Sequence, residues 1–179
     1  TPQRSAAVPV APTPASVVET TTVRTERATY QFASPGATPV AVELADHRSL
    51  RPGAPRDTPA NLLESSDRLF RLRLLSDRDT IALDTVPFRA APQMRDGNSV
   101  VQTFASANAG VPITLSYRIP VDSFVIHVSG NVGGADAGRN WRLLLQLPAR
   151  IRSEEANVSE DERSLAVGYK RGVSEVEST

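Results

Sequence analysis

Prolines and glycines interrupt this chain at short intervals, which limits the length of any helix or strand that it can form. There are 14 prolines and 10 glycines among the 179 residues. Proline removes a backbone N–H that helices and central strands need, and both residue types favour turns. No segment keeps an apolar stripe at the helical period over several turns. The pattern therefore predicts an all-β fold of many short strands, as in a sandwich or a barrel-like sheet.

Two segments alternate apolar residues with polar or charged ones at the two-residue period of a strand. They are RLFRLRLL at 68–75 and ITLSYRI at 113–119. Their apolar faces consist of Phe70, Leu72, Leu74, Ile113, Leu115, Tyr117 and Ile119. Further strands are expected at 17–26, 28–34, 40–44, 100–104, 124–128 and 141–147. The tripeptide Asp96-Gly97-Asn98 predicts a hairpin turn just before the strand at 100–104.

Aromatic residues mark the expected core, because each stands on the apolar side of an alternating run. The residues predicted to be buried are Phe32, Tyr117, Phe124 and Trp141. Two segments compete as helices. Residues 61–75 do not separate polar and apolar faces at the helical period, so the strand is preferred there. Ser159 and Glu162 have the spacing of a capping box, which favours a short helix ahead of SLAVGYK.

Composition divides the chain into a linker and one domain. Residues 1–16 read TPQRSAAVPVAPTPAS, which is typical of a flexible Pro/Ala-rich linker and implies that another segment precedes it. Residues 17–179 are expected to form a single β-sandwich domain. No apolar stretch approaches the roughly 20 residues that span a bilayer.

The balance of charges argues against two classes of partner. Twenty Lys+Arg residues cancel 20 Asp+Glu residues. A nucleic-acid-binding domain or a polybasic membrane-surface domain would show an excess of basic residues. The chain has no cysteine, which excludes disulfides, thiolate metal sites and a cysteine nucleophile.

Histidines and acidic residues are the candidate metal ligands of this cysteine-free chain. His47 and His127 are the only histidines and could meet in space with Asp46 or Asp122, but turn and strand positions explain both. A second group of acids resembles part of a calcium loop without its central glycine and distal glutamate. Its members are Asp77, Asp79 and Asp84, around Arg78. A solvated turn explains this group better.

Three further patterns also have simpler explanations. The glycines at 130, 133, 134 and 138 precede a predicted strand rather than a helix, so they indicate a hairpin loop and not a phosphate cradle. The acidic run of Glu154, Glu155, Glu160, Asp161 and Glu162 is typical of a solvated face. Trp141 could stack on a sugar, but the leucines that follow favour a core position. We therefore assign no catalytic, cofactor-binding or metal-binding residue.

The order of the segments resembles a known family. A Pro-rich linker leads into ATYQFASPGATPVAVELADHRSL, followed by LLESSDRLFRLRLL, PFRA, VVQTF, ITLSYRIPVDSFVIHVSGNV and WRLLLQLPARIRSEEANVSEDERSLAVGYKRG. This series, from Val17 to Val176, resembles the large periplasmic domain of the YidC membrane protein insertases. Two positions depart from the family pattern: His47 replaces a frequent tyrosine, and Gly36-Ala37 replaces a glycine pair.

The resemblance implies a β-supersandwich of galactose-mutarotase-like architecture, with further strands and a helix beyond Thr179. It implies no enzyme and no cofactor, because the insertion chemistry belongs to the family's transmembrane part. The implied location is the periplasmic side of the bacterial inner membrane, tethered by transmembrane helices outside this chain. The implied partners are the SecD/SecF accessory proteins of the Sec translocon and nascent membrane proteins. The alternative is a carbohydrate-binding or sugar-modifying sandwich of the cell envelope; a third possibility is an adhesion or assembly module.

Overall fold

A computed structural model describes residues 19–63, 66–77, 79–106, 110–134, 139–148, 151–164, 168–170 and 176–178. Its strands are β1 Thr20–Arg24, β2 Ala28–Ala33, β3 Thr38–Arg48, β4 Pro59–Asn61, β5 Arg71–Leu75, β6 Thr80–Ala82, β7 Arg89–Ala90, β8 Met94–Asp96, β9 Ser99–Ser106, β10 Ile113–Pro120, β11 His127–Val132, β12 Arg142–Gln146, β13 Gly168–Lys170 and β14 Val176–Ser178. One α-helix, α1 Val158–Ser164, and one 3-10 turn, Leu83–Thr85, complete the regular elements of these ranges. The predicted linker at 1–16 lies outside the described residues.

The strands form antiparallel sheets that enclose one core. The first sheet has the order β1-β2-β3-β4, and the second has the order β11-β10-β9-β7 with β8 also paired to β9. A third sheet, β12-β5-β6, extends the structure, and β13 pairs with β14. The prediction of an all-β sandwich of mostly antiparallel strands is confirmed.

An aromatic cluster joins the first two sheets. Phe32 on β2 lies with its ring centroid 5.4 Å from that of Phe104 on β9 and 4.8 Å from that of Tyr117 on β10. Phe70, just before β5, stacks 6.3 Å from Tyr117. Tilted and edge-on ring pairs at these distances add to the free energy of burial. The cluster therefore fixes how the two sheets face each other and anchors the start of the third.

Alternation placed the core correctly in β5 and β10. The seven residues predicted to face inward in these two segments are all buried. The hairpin turn is also confirmed, since Asp96 pairs with Ser99 across Gly97 and Asn98, with Gly97 at φ +59°. Positive φ at this position suits glycine.

The prediction that Phe124 lies in a core strand is wrong. Residues 121–126 form a turn between β10 and β11, and the Ser123 hydroxyl accepts a hydrogen bond from the backbone N–H of Val125. The expected strand at 124–128 therefore begins only at His127. The Phe124 side chain is 48% exposed, and its ring forms a T-shaped pair with that of His47, at 6.2 Å between centroids.

Arg68 and Gly36 hold the β2–β3 turn in close contact with the 3-10 turn. Arg68 donates hydrogen bonds to the Pro35 carbonyl at 2.8 Å and to the Thr38 hydroxyl at 2.9 Å. Burial, and next the nearby Arg71, lower the pKa of Arg68. Gly36 has φ +87°, and a Cβ there would lie 3.0 Å from the Asp84 Cα atom. The turn therefore requires glycine for both conformation and space.

Helix α1 begins two residues earlier than the Ser159–Glu162 spacing predicted. Asn157 is the cap: its side-chain oxygen accepts from the Glu160 N–H at 3.4 Å, and its amide donates to the Glu160 carboxylate at 3.0 Å. The first bond is that of an N-cap, whereas the second joins two side chains and differs from a capping box, in which the glutamate accepts from the backbone N–H of the cap residue. The helical alternative for this segment is therefore correct, but the expected capping pair of Ser159 and Glu162 is wrong.

Candidate functional site

The two histidines lie on the surface and apart from any cluster of metal ligands. His47 is exposed near the end of β3, and His127 is exposed at the start of β11, opposite Arg118. Within the described ranges, no group of three or more His, Cys, Asp or Glu residues could hold a metal ion. Asp46 is paired with Arg27 at 3.2 Å between carboxylate oxygen and guanidinium nitrogen.

Two of the candidate calcium ligands form ion pairs with different arginines. Asp84 Oδ2 lies 2.8 Å from Arg71 Nη1, and Asp79 Oδ2 lies 3.2 Å from Arg139 Nη1. Asp77 is exposed in the same connection, and Arg78 lies outside the described residues. The geometry is that of ion pairs which tie the β5–β6 hairpin to its surroundings, as expected for a solvated turn.

The glycine-rich segment connects two sheets instead of closing a hairpin. β11 pairs with β10 in the second sheet, whereas β12 pairs with β5 in the third. The hairpin-loop prediction for the glycines is therefore wrong, although a strand does follow them; Gly138 lies outside the described residues. A Cβ on Gly130 would lie 3.2 Å from the side chain of Leu115, so this glycine permits close packing.

The acidic run is spread over a loop and a helix. Glu154 lies against Arg152, with 2.8 Å between Oε1 and Nε, in ion-pair contact without hydrogen-bond alignment. The backbone beside them is tied to the domain, since Leu50 N–H donates to the Glu154 carbonyl at 2.7 Å. Glu160 belongs to the helix cap, and the Glu162 side chain lies outside what the structure describes. The prediction of a solvated face is therefore wrong for Glu154, whose side chain is only 10% exposed, whereas Glu155 and Glu160 are exposed as predicted.

Trp141 lies at the edge of the core and lines a crevice. Its side chain is partly buried and packs against the core cluster, so the core prediction is only partly right. The crevice has a volume of about 330 Å³. Its apolar floor comes from Leu74, Ile113 and Leu115, and Asn131 and Asn140 add amides to the wall. A site of this kind can hold a ligand that is apolar on one side and hydrogen-bonding on the other.

Strand β12 next to the crevice exposes its leucines. Leu143 and Leu145 are 39% and 42% exposed, although they stand directly opposite Leu74 and Leu72, which are 6% and 0% exposed. Leu144, on the other face, is 47% exposed. The expected apolar face of WRLLLQL therefore exists, but most of it lies beyond the core. An edge strand with exposed apolar side chains can pair with another polypeptide segment.

A second crevice, of about 630 Å³, opens near the start of β1, the end of β9 and the start of β10. Glu19, Ser34, Phe88 and Thr114 are among its lining residues. Ser34 uses its hydroxyl to donate to the Phe88 carbonyl at 2.9 Å, so this polar group is already part of the fold.

The apolar alternation of WRLLLQL predicts a strand with one buried face, and this prediction misses the exposed surface of β12. Three consecutive leucines place apolar groups on both faces of a strand. That run was the available signal that both faces of β12 carry apolar side chains. Nothing in the sequence could indicate that β12 lies at a sheet edge, because this depends on pairing with β5.

No protein-family model matches this sequence, and no match was found among the curated proteins or the solved structures. The resemblance to YidC-type domains therefore stays a prediction that rests on the order of short segments.

Proposed function

We propose that this chain is the periplasmic domain of a YidC-type membrane protein insertase and acts as a non-catalytic scaffold that binds partner proteins. The observation that carries the scaffold role is the leucine-bearing edge strand β12. Soluble proteins normally blunt an edge strand with lysine, proline, a bulge or a cover. An edge that keeps its leucines exposed is suited to binding another polypeptide.

The resemblance supplies the setting for this scaffold. The segments that carry the resemblance include β2, β5, β9 and β10, whose residues form the core of the sandwich. The expected partners are SecD/SecF and nascent membrane proteins at the periplasmic side of the inner membrane. Tethering to a transmembrane bundle would raise the local concentration of the domain, so that a weak contact suffices.

The membrane anchors in this proposal lie outside the chain. Among the described residues, none of the helices is long and apolar enough to cross a membrane. The proposal predicts that the gene encodes one transmembrane segment upstream of this domain and about five downstream. A gene that encodes a signal peptide and no transmembrane segment would contradict it.

Site-specific crosslinking in cells tests the partner assignment. A photo-crosslinking residue at Leu144, in the full-length anchored protein, should give adducts with SecD/SecF or with newly made membrane proteins. The matched control is Met94 on β8, which is 67% exposed and belongs to a different sheet. Equal adducts from both positions, or adducts only with unrelated envelope proteins, would contradict the proposal.

A carbohydrate-binding module is the second candidate, and the Trp141 crevice favours it. An indole ring beside Asn131 and Asn140 offers stacking and hydrogen bonds, which sugars use together. Titration with galactose and other hexoses, followed by the fluorescence of this single tryptophan, tests it. A saturable change that Asn140→Ala abolishes, or epimerase turnover, would favour the carbohydrate function over the scaffold.

A further inference from the structure

Strand β12 has one bonded edge and one outer edge. It pairs with β5 over five residues, from Arg142 opposite Leu75 to Gln146 opposite Arg71. No strand in the described part of the chain pairs with its outer edge. All five residues of β12 are exposed. The outer edge therefore presents backbone donors and acceptors that an added strand could satisfy.

The two faces of β12 differ in chemistry. Opposite residues in an antiparallel pair share a face, so Leu143 and Leu145 continue the inner face of β5. Leu147, just after the strand, is also exposed. An added strand would thus meet a row of leucines on the inner side and could cover apolar surface that the core leaves open.

The outer face is basic. Arg73 on β5 lies opposite Leu144, and Arg142 lies two residues along β12 on the same face. Both arginines are exposed, and within the described residues neither forms an ion pair. Arg71 on this face is different, because it is bound to Asp84. Two guanidinium groups therefore remain for a partner on this side of the sheet.

We infer that β12 binds, by strand addition, an extended segment of a partner protein in which apolar and acidic residues alternate. The two-residue period of a strand puts the apolar side chains over Leu143 and Leu145. The acidic side chains then lie on the other face, beside Arg142 and within reach of Arg73. The setting rests on the proposed scaffold function, whereas the binding chemistry rests only on the geometry of β12.

Charge favours this partner over a second copy of the chain. Antiparallel pairing of two β12 strands centred on Leu144 would join two outer faces, each carrying Arg73 and Arg142. Such a joined face would bring together four arginines that have no ion-pair partner among the described residues. Like charges on one face disfavour pairing, whereas an acidic segment is drawn to them.

The fluorescence of Trp141 can report this binding. Trp141 directly precedes β12 and is the only tryptophan, so we expect its fluorescence to change when a strand is added beside it. The probe is a short capped peptide of alternating glutamate and valine. The matched peptides are alternating lysine and valine, and the glutamate peptide with a central proline that prevents main-chain pairing. We expect saturable binding of the first peptide and about tenfold weaker binding of the second at low salt.

Charge reversal in the protein tests whether the charged side chains of the peptide lie on the arginine-bearing outer face. Arg73→Glu with Arg142→Glu should invert the preference, so that the lysine peptide binds better. The control is Arg95→Glu, an exposed arginine on β8 in another sheet, which should leave the preference unchanged. Equal binding of the charged peptides to the unaltered protein would overturn the acidic partner. Equal binding of the proline peptide would overturn strand addition.

Other occupants give distinct outcomes. A dimer in sedimentation equilibrium that Leu144→Arg abolishes would identify a second copy and overturn the proposal. Shielding of Leu144→Cys from a maleimide in the purified full-length protein alone would identify a segment of the same polypeptide and overturn it too. If the peptides bind as expected but the cellular crosslinks fail, only the proposed function is wrong. If the peptides fail while crosslinks to SecD/SecF form, only this inference is wrong.

Discussion

Tyr117 carries a hydroxyl that the core has buried without a partner. The side chain is fully buried, and its oxygen has no hydrogen-bond partner among the residues that the structure describes. A buried polar group of this kind costs about 1–3 kcal/mol. We expect Tyr117→Phe to leave the free energy of unfolding at neutral pH unchanged or to raise it by up to about 1 kcal/mol. Urea denaturation measures this, and a loss above about 1 kcal/mol would mean that the hydroxyl is bonded.

The same hydroxyl predicts a pH dependence. Burial raises the pKa of Tyr117 above its ordinary value of 10.0. The unfolded chain therefore loses this proton first as the pH rises, so stability is complete below about pH 10 and falls above it. Burial also raises the pKa of Tyr30, so this residue lowers the stability at alkaline pH in the same way. Denaturation at pH 8 and at about pH 11 should show a smaller alkaline loss for Tyr117→Phe than for the unaltered protein; an equal loss would assign the effect elsewhere.

Phe124 and Phe32 test how burial, rather than residue type, sets the free energy of unfolding. Phe32 lies in the aromatic cluster and is fully buried, so Phe32→Ala should cost about 3–5 kcal/mol. Phe124 lies in the turn after β10, so Phe124→Ala should cost under about 1 kcal/mol. Chemical denaturation compares them directly. A cost above about 2 kcal/mol for Phe124→Ala would show that the Phe124 side chain is packed in the core.

At the scale of elements, the sequence predicts strands well where alternation and burial agree. β5 and β10 alternate without interruption, and each inward residue is buried. The strand expected at 124–128 fails because side-chain bonding from Ser123 holds a turn that hydrophobicity does not encode. In β12 the strand is right but the burial is wrong, since burial depends on which neighbour covers the strand.

The turn between β2 and β3 gives a prediction with a matched control. Gly36 and Gly53 have similar conformations, with φ +87° and +82°. A Cβ at Gly36 would meet backbone at 3.0 Å, whereas one at Gly53 would meet nothing within 4 Å. Gly53→Ala should cost only the conformational strain, about 1–2 kcal/mol. Gly36→Ala should cost about 1–3 kcal/mol more, because the β2–β3 turn and the 3-10 turn at Leu83–Thr85 must move apart. Equal losses of unfolding free energy in the two variants would show that the neighbours of Gly36 move aside at no cost.

At the scale of the whole molecule, the candidate surface could not be derived from the sequence. Arg73 and Leu144 are distant in the chain and become neighbours only because β12 pairs with β5. The chain between them forms the second sheet, and local patterns do not encode this crossover. Composition and alternation predicted the class of fold and the absence of an obvious catalytic motif. The order of sheets, and therefore the position of every edge, required the structure.

The exposed leucines should also govern how the whole molecule behaves in solution. Leu144→Lys places a charge on the outer face of an edge strand, a device that natural sheets use against aggregation. Because Leu144 is half exposed, stability should change by under about 0.5 kcal/mol, while binding of an apolar fluorescent dye falls and solubility rises. Leu72→Lys is the control: it lies on β5 with no exposed surface, and burying its charge should unfold the domain. A large loss of stability from Leu144→Lys, with dye binding unchanged, would show that β12 supports the fold and leaves no apolar edge for a partner.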